Sequence, residues 1–209
     1  MTINEINEMV ISAYNHIADN YLATYSANDE LDVKYLAEYA HRLVGKRVLD
    51  MGCGVGVGVS YLSKCNLDVI GVDASPNMLG VAHTIFPNLK FFRQNILHTS
   101  FADEYFDGIV LSYVINHFNQ EGLVLLRNEI SRLLSPNGLL FISAHIGDSE
   151  KVLPDPLDES IQIYYNFINP KLLDDLFKGY KCEFFETRKS FGEEEFLCDK
   201  MFLIYRKEQ

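Results

Sequence analysis

The stretch Val48-Leu-Asp-Met-Gly-Cys-Gly-Val-Gly-Val-Gly58 limits what this chain can fold into more than any other. A short apolar run closes on Asp50, and glycines then stand at 52, 54, 56 and 58. Glycine lets the backbone turn tightly and brings main-chain N–H groups up to a ligand at a helix start. In a doubly wound sheet that crevice is the expected binding site. The spacing of two does not fit the G-x-G-x-x-G fingerprint of dinucleotide enzymes, and no Lys-Ser/Thr follows to make a phosphate loop. Asp50 adds a further constraint. A carboxylate beside the loop would repel a pyrophosphate and attract an ammonium or sulfonium group, so a cationic, nucleoside-like ligand is expected. Asp73 ends the next apolar run, where a carboxylate is placed to accept both hydroxyls of a ribose.

Around this loop, short apolar runs alternate with amphipathic ones. Strands are read at 47–50, 68–73, 89–92, 106–112 and 138–143, and helices at about 56–64, from Pro76, and at about 120–134. The alternation predicts βαβ units and a mainly parallel sheet. Ser135-Pro-Asn-Gly138 reads as a helix stop and turn. Ahead of the loop, Ile3 to Leu22 recur near helical spacing, and a second helix capped at Asn28 or Asp29 carries Leu31, Tyr35, Leu36, Tyr39 and Leu43 as far as Gly45. Behind it, 147–159 reads as an irregular acidic segment leading to the aromatic stretch 161–167, a helix over 170–178, and two strands near 181–187 and 200–206 joined by a hairpin-like Ser190-Phe-Gly-Glu193. The organisation expected is one domain over 1–209: a helical cap (1–45), a core (46–145), a lid (146–169) and a C-terminal helix with strands (170–209).

Composition narrows the partners. Eighteen Lys and Arg against 29 Asp and Glu give a formal net charge of −11. With no basic cluster to offset it, that surface disfavours nucleic acid. Cys53, Cys65, Cys182 and Cys198 form neither a metal spacing nor a disulfide framework. The acidic residues Asp148, Asp155, Asp158 and Glu159 read as solvated surface, and no metal site is expected. Without a signal peptide at Met1–Val10 or an apolar run of membrane length, a cytoplasmic chain, monomeric or homodimeric, is expected.

In order and spacing, Val48–Gly58, Val69–Leu79, Phe106–Phe118 and Leu133–Ser143 resemble the successive motifs of class I S-adenosylmethionine-dependent methyltransferases of the small-molecule type. The resemblance implies an α/β fold: a Rossmann-like, seven-stranded, mostly parallel sheet flanked by helices, with an N-terminal helical cap and a C-terminal antiparallel strand. It implies S-adenosyl-L-methionine as cofactor. Gly52, Cys53, Gly54 and Gly56 then wrap the methionine portion, and Asp50 orients its ammonium end through backbone or water. Asp73 holds the ribose hydroxyls, while Ala74 and Ser75 to Met78 line the adenosine edge. Asn95, followed by Ile96, stands where the family usually has an Asp that contacts the adenine amino group. The segment from Ser112 passes beneath the transferable methyl, and Tyr14 and Tyr21 belong to the cap that closes over the cofactor.

Methyl transfer from a sulfonium is an in-line displacement in which alignment and exclusion of water do most of the work. His117 after strand four and His145 after strand five are the candidate catalytic residues, as a base or as hydrogen-bond partners of the acceptor. His16 could face the site, whereas His41 and His83 read as ordinary helix residues. Tyr113, His117, Tyr164, Tyr165 and Phe167, with Tyr14 and Tyr21, form the expected surface for a small, partly apolar or ring-containing acceptor. Two other readings stay open: a noncatalytic protein that binds the same cofactor, and a protein or RNA methyltransferase. A nicotinamide-dependent oxidoreductase is disfavoured by the glycine register and by Asp50.

Overall fold

The computed structural model describes residues 1–190 and 198–208, and for residues 22 and 24–31 the backbone alone. Thr2 opens helix α1 (Ile3–Arg42) with a capping box: its hydroxyl accepts from the Glu5 N–H at 3.3 Å, and the Glu5 carboxylate accepts from the Thr2 N–H at 2.8 Å. The residue pattern predicts two helices here, with a fresh start at Asn28 or Asp29, but the backbone runs on as one 40-residue helix. No glycine or proline occurs before Gly45, and Asn or Asp inside a helix costs only about 0.5 kcal/mol relative to alanine, so nothing local breaks it.

The chain then alternates: β1 (Arg47–Met51), α2 (Val57–Lys64), β2 (Asp68–Asp73), α3 (Pro76–Ile85), β3 (Lys90–Arg93) and β4 (Phe106–Ser112). A 3-10 turn (Ile115–His117) leads into α4 (Gln120–Leu133) and β5 (Leu134–His145). After it come β6 (Ser149–Asp155), β7 (Asp158–Phe167), α5 (Pro170–Leu176), β8 (Tyr180–Arg188) and β9 (Lys200–Lys207). Seven strands form one sheet in the order β3-β2-β1-β4-β5-β9-β8, parallel from β3 to β5 and antiparallel for β9 and β8. The order reverses between β1 and β4, and in such sheets ligands bind outside the strand ends at that switch.

Both faces of the sheet are covered, which is why β1 after its first residue, most of β4 and β5 from Gly138 onward are buried. On one face Leu49, Ile109, Leu111 and Ile142 pack with Leu126, Ile130 and Leu133 of α4 and with Phe177. On the other, Val48, Val110 and Phe141 pack with Val59 and Leu62 of α2 and with Tyr35 and Tyr39 of α1. The second half of α1 is thus a sheet-packing helix. Tyr35 stacks on Phe202 at 3.6 Å, and Gly108 leaves room for Tyr39, whose hydroxyl would lie 2.0 Å from any Cβ there. The first half of α1 continues past the sheet and over the switch point.

Two expectations change. Ser135–Gly138 does not separate α4 from the strand. β5 begins at Leu134 and absorbs the turn as a bulge, with register passing from Phe106↔Leu134 to Gly108↔Leu139 and Asn137 at φ 62°. Residues 147–159 are not irregular either, because β6 and β7 form an antiparallel hairpin. Pro154 sits in its outer strand, where a missing N–H is tolerated. Asp155, expected to be solvated, is 3% exposed, and its carboxylate accepts from the Leu157 N–H at 2.8 Å to close the hairpin turn. Beyond Ser190, the expected turn at Ser190–Glu193 lies outside the described residues.

Candidate functional site

The site grows from the end of β1. The Gly52 and Cys53 N–H groups donate to the Val72 carbonyl at 2.7 and 3.0 Å, which ties the loop to β2. At Gly52 (φ 79°) a Cβ would fall 2.3 Å from Val114 Cγ2, so only glycine fits the turn. Gly54 (φ 51°) faces open space, and its N–H donates to Asp73 Oδ2 at 2.9 Å. The other Asp73 oxygen accepts from the Ser75 N–H at 2.8 Å. Ser75 caps α3 by accepting from the Met78 N–H at 3.1 Å, with Pro76 at the first helical position.

Asp50 is the anomaly of this floor. It is 2% exposed, and its Oδ1 accepts no hydrogen bond from any described residue. Burial, with the nearby Asp73 carboxylate adding to it, pushes the Asp50 carboxyl up to about 7. Burial also raises Asp73, opposed by the N–H groups of Ser75, Gly54 and Ala74.

Two adjoining cavities open over the loop. The larger, about 400 Å³, runs from Asp73, Ala74, Ser75, Met78, Asn95 and Ile96 to Tyr14, Val114 and His117. The smaller, about 120 Å³, holds Asp50 and Cys53 beside Asp32, Tyr61 and Ser143. Tyr21, Gly52, Gly54, Ser112 and Tyr113 line both, so the two cavities meet at the loop.

The first half of α1 roofs the larger cavity, and the hairpin packs behind it. Asn15 docks α1 on the start of α3: its Oδ1 accepts from the Ser75 hydroxyl at 2.7 Å and from the Asn77 N–H at 3.2 Å. Ala13 packs against Ile163 and Tyr165 of β7. His117 Nδ1 lies 3.0 Å from the Tyr164 carbonyl oxygen, and Nε2 lies 2.8 Å from the Tyr14 hydroxyl. A carbonyl only accepts, so Nδ1 carries the proton, and Nε2 must accept from the tyrosine. Burial pushes His117 down to about 4, which keeps the ring neutral.

Thirteen of the residues singled out from sequence line the larger cavity: Tyr14, Tyr21, Gly52, Gly54, Asp73, Ala74, Ser75, Met78, Asn95, Ile96, Ser112, Tyr113 and His117. Asp50 and Cys53 line the smaller one. Gly56 lines neither. It caps α2 at φ 85°, with Phe91 where a Cβ would stand. His145, Tyr164, Tyr165 and Phe167 are also outside both linings. The His145 ring lies 4.9 Å from that of Tyr113, with Nδ1 3.5 Å from Cys198 Sγ. Tyr164 reaches the site through its main-chain oxygen, and Tyr165 through its ring, 4.9 Å from that of His117. His16 pairs with Asp158 of the hairpin at 2.9 Å. The sequence reading missed Asn15 and Asp32. Asp32 accepts from the Tyr113 hydroxyl at 2.6 Å and from Arg188 at 3.0 Å, and no local signal marks either residue.

Known proteins give the same picture. The family described as Methyltransferase domain matches residues 48–138. The ubiquinone biosynthesis O-methyltransferase of Pasteurella multocida is 32% identical over 127 residues, covering 54% of this chain and 52% of that one. The chain spans about half the length of the curated relatives it matches first. Among solved structures, a S-adenosylmethionine-dependent methyltransferase from Methanosarcina mazei superposes with a TM-score of 0.72 at 17% identity, covering 80% of this chain and 96% of that one. The DhpI–SAH complex superposes at 0.74 with 18% identity, covering 96% of each. From the strand order, the glycine loop and these likenesses together, the chain has the class I S-adenosylmethionine-dependent methyltransferase fold.

Proposed function

We propose that this chain binds S-adenosylmethionine across the two joined cavities and catalyses transfer of its methyl group to a small-molecule acceptor. The observation that carries the proposal is Asp50, a buried carboxylate with no described donor, at the floor of the smaller cavity, which meets at the glycine loop the larger cavity that holds Asp73. A carboxylate so placed is costly alone and is stabilised by a cation. A phosphorylated dinucleotide would add repulsion instead. The volume of the larger cavity, about 400 Å³, falls within the range of small-molecule sites.

When bound, the cofactor would supply an electrophilic methyl on a good leaving group. The chain's residues would hold and shield it. Asp50 would face the cationic amino acid end. Asp73, already accepting from Gly54 and Ser75, has lone pairs left for the ribose hydroxyls. Ala74, Met78 and Ile96 offer an apolar wall to the base. Asn95 Oδ1 accepts from the Leu97 N–H at 3.0 Å and keeps a second lone pair, and its amide N–H groups can donate as well. Tyr21, Ser112 and Tyr113 stand where the cavities join and would flank the reacting centre. His117 serves through Tyr14, since its Nε2 lone pair is taken by that hydroxyl. The name of the Pasteurella relative, an O-methyltransferase of ubiquinone biosynthesis, supports a small-molecule acceptor.

Calorimetric titration with S-adenosylmethionine, with NAD and NADP as controls, tests the proposal. Micromolar binding of the methyl donor alone is the expected result. Absence of binding to folded, ligand-free protein, or preference for a dinucleotide, would overturn it.

A further inference from the structure

Two polar atoms stand unpartnered in an otherwise apolar layer between the sheet and the helices α1 and α2. Tyr39 is 0% exposed and Asp50 2%, and neither the Tyr39 hydroxyl nor Asp50 Oδ1 has a hydrogen-bond partner among the described residues. Tyr39 packs there with Val48 of β1 and Val110 of β4. Alternate residues of a strand share a face, so Asp50 and Gly108 point into the same layer. The register pairs Val48 with Gly108, and Asp50 stands about 6.6 Å further along β1 than Val48.

Two glycines clear space for these groups. A Cβ at Gly108 would run into Tyr39 Oη, and one at Gly58 would stand 2.7 Å from Asp50 Oδ2. Burial raises the Tyr39 hydroxyl well above its ordinary value, and the Asp50 charge adds to it, which puts the two groups within electrostatic reach. They make no direct bond. Left bare, each would carry the full cost of its lost hydration. Asp50 lines the smaller cavity together with Leu36, nearly one turn before Tyr39, so this carboxylate is shared between the cavity and the packed layer behind it.

We propose that one ordered water sits between Tyr39 Oη and Asp50 Oδ1, and that through it Tyr39 is a positioning residue for Asp50. An ionised carboxylate only accepts, so the water donates to Asp50 and takes the tyrosine proton on its own oxygen. Internal waters have two to four polar partners, and these two oxygens supply the minimum. The bridge is independent of what the chain catalyses. That the ionised Asp50 so held meets the cationic end of the cofactor rests on the methyltransferase reading.

Tyr39→Phe decides between a bare and a bridged hydroxyl. Removing a bare one would raise the denaturant midpoint at pH 5 and pH 9 alike. Removing a bridged one is expected to lift the Asp50 titration by about one pH unit, tenfold in its proton equilibrium. A raised folded-state pKa takes stability away as pH climbs through it. The folding equilibrium constant of Tyr39→Phe, relative to the unsubstituted chain, is therefore expected to fall about tenfold further at pH 9 than at pH 5. Asp73, Cys53, Tyr61, Asp32 and Tyr113 surround Asp50 and its cavity, and Asp107 faces Tyr39. All are present in both proteins, so their own titrations cancel in the comparison. In an Asp50→Asn background the pH-dependent part of the loss is expected to vanish. A raised midpoint, a loss equal at both pH values as packing alone would give, or the same pH-dependent loss without Asp50 would overturn the inference. A crystal structure of the ligand-free protein is expected to show one water within hydrogen-bond distance of both oxygens, and direct contact or empty density there would overturn it too. The rise of S-adenosylhomocysteine affinity through pH 7 is expected to move up by about one pH unit in Tyr39→Phe, and an unmoved rise would remove Tyr39 from positioning Asp50. Failure of S-adenosylhomocysteine to bind at all would instead strike the methyltransferase reading and leave the unfolding comparison intact.

Discussion

The floor and the roof of the cavity are built in opposite ways. The floor is main chain and carboxylate: the Gly54 N–H meets Asp73 across 19 positions of sequence, and Asp73 meets Ser75 across two. The roof is made of side chains from distant segments. Tyr14 meets His117 across 103 positions, His117 meets Tyr164 across 47, and Asn15 meets Ser75 across 60. The floor can therefore be specified by a short motif and serve any chain that needs the same ligand. The roof depends on how α1 and the β6–β7 hairpin settle together, so it is where one chain can differ from another in what it accepts. The two regions also store opposite electrostatic tension, an acid held up in the floor and a base held down in the roof.

The largest expected effect tests the floor. Asp73→Asn removes the charge from a group that accepts two main-chain N–H bonds and faces the cavity. Charge-assisted hydrogen bonds contribute about 1.5–3 kcal/mol each, so cofactor affinity is expected to fall about 100-fold with the fold retained. Calorimetry on the variant checks this, and unchanged affinity would remove Asp73 from the binding site.

The two tensions give a second test, read on ligand-free protein by denaturant unfolding at pH 5 and pH 7. Asp50 has its folded-state pKa raised to about 7, so the folded chain holds a proton that the unfolded chain releases, and this contribution to stability grows as pH falls toward 4. His117 has its pKa lowered to about 4, so the unfolded chain takes up the proton first, and stability falls as pH drops below 6.5. The two slopes oppose one another. Asp50→Asn is expected to lower stability at pH 5 relative to pH 7 by about 2 kcal/mol compared with the unsubstituted chain, and His117→Leu to do the reverse. Parallel pH profiles for all three proteins would show that the floor and roof do not hold these groups as described. Because a cationic ligand favours ionised Asp50, cofactor affinity is expected to rise as pH increases through 7.

How much of this was legible in sequence follows the same division. The strand ends at Asp50 and Asp73, the glycine loop and the Ser75–Pro76 helix start are local signals, and the structure places all of them around one crevice. The sheet followed from alternating apolar and amphipathic runs, because strands buried on both faces have few other sequences open to them. The hairpin was hidden by Pro154, Asp155, Asp158 and Glu159, which look like a solvated loop until Asp155 is seen closing the turn from a buried position. The continuous α1 was missed because Asn28 and Asp29 carry a cap signal that the backbone does not use. The place of His145, Tyr164, Tyr165 and Phe167 in the chain predicts that they face the site. Only tertiary packing decides that Tyr164 contributes a carbonyl and that His145 turns toward Tyr113 and Cys198.

The smallest expected effect separates the two jobs that glycine does in the floor. At Gly52 an added Cβ meets Val114 at 2.3 Å and the backbone stands at φ 79°, so Gly52→Ala strains both the turn and the packing beneath it. At Gly54 the space is open and only φ 51° resists, a conformation that costs a non-glycine residue about 1 kcal/mol. Gly54→Ala is therefore expected to lower the unfolding free energy by about 1 kcal/mol, clearly less than Gly52→Ala. Its methyl would project into the space where the two cavities join, however, so its effect on cofactor affinity should exceed its effect on stability. Denaturant unfolding and calorimetry on the same two variants separate these quantities. Gly54→Ala protein that binds the cofactor as tightly as the unsubstituted chain would mean that the ligand does not approach the loop's main chain at 54, and the floor would then work through its carboxylates alone.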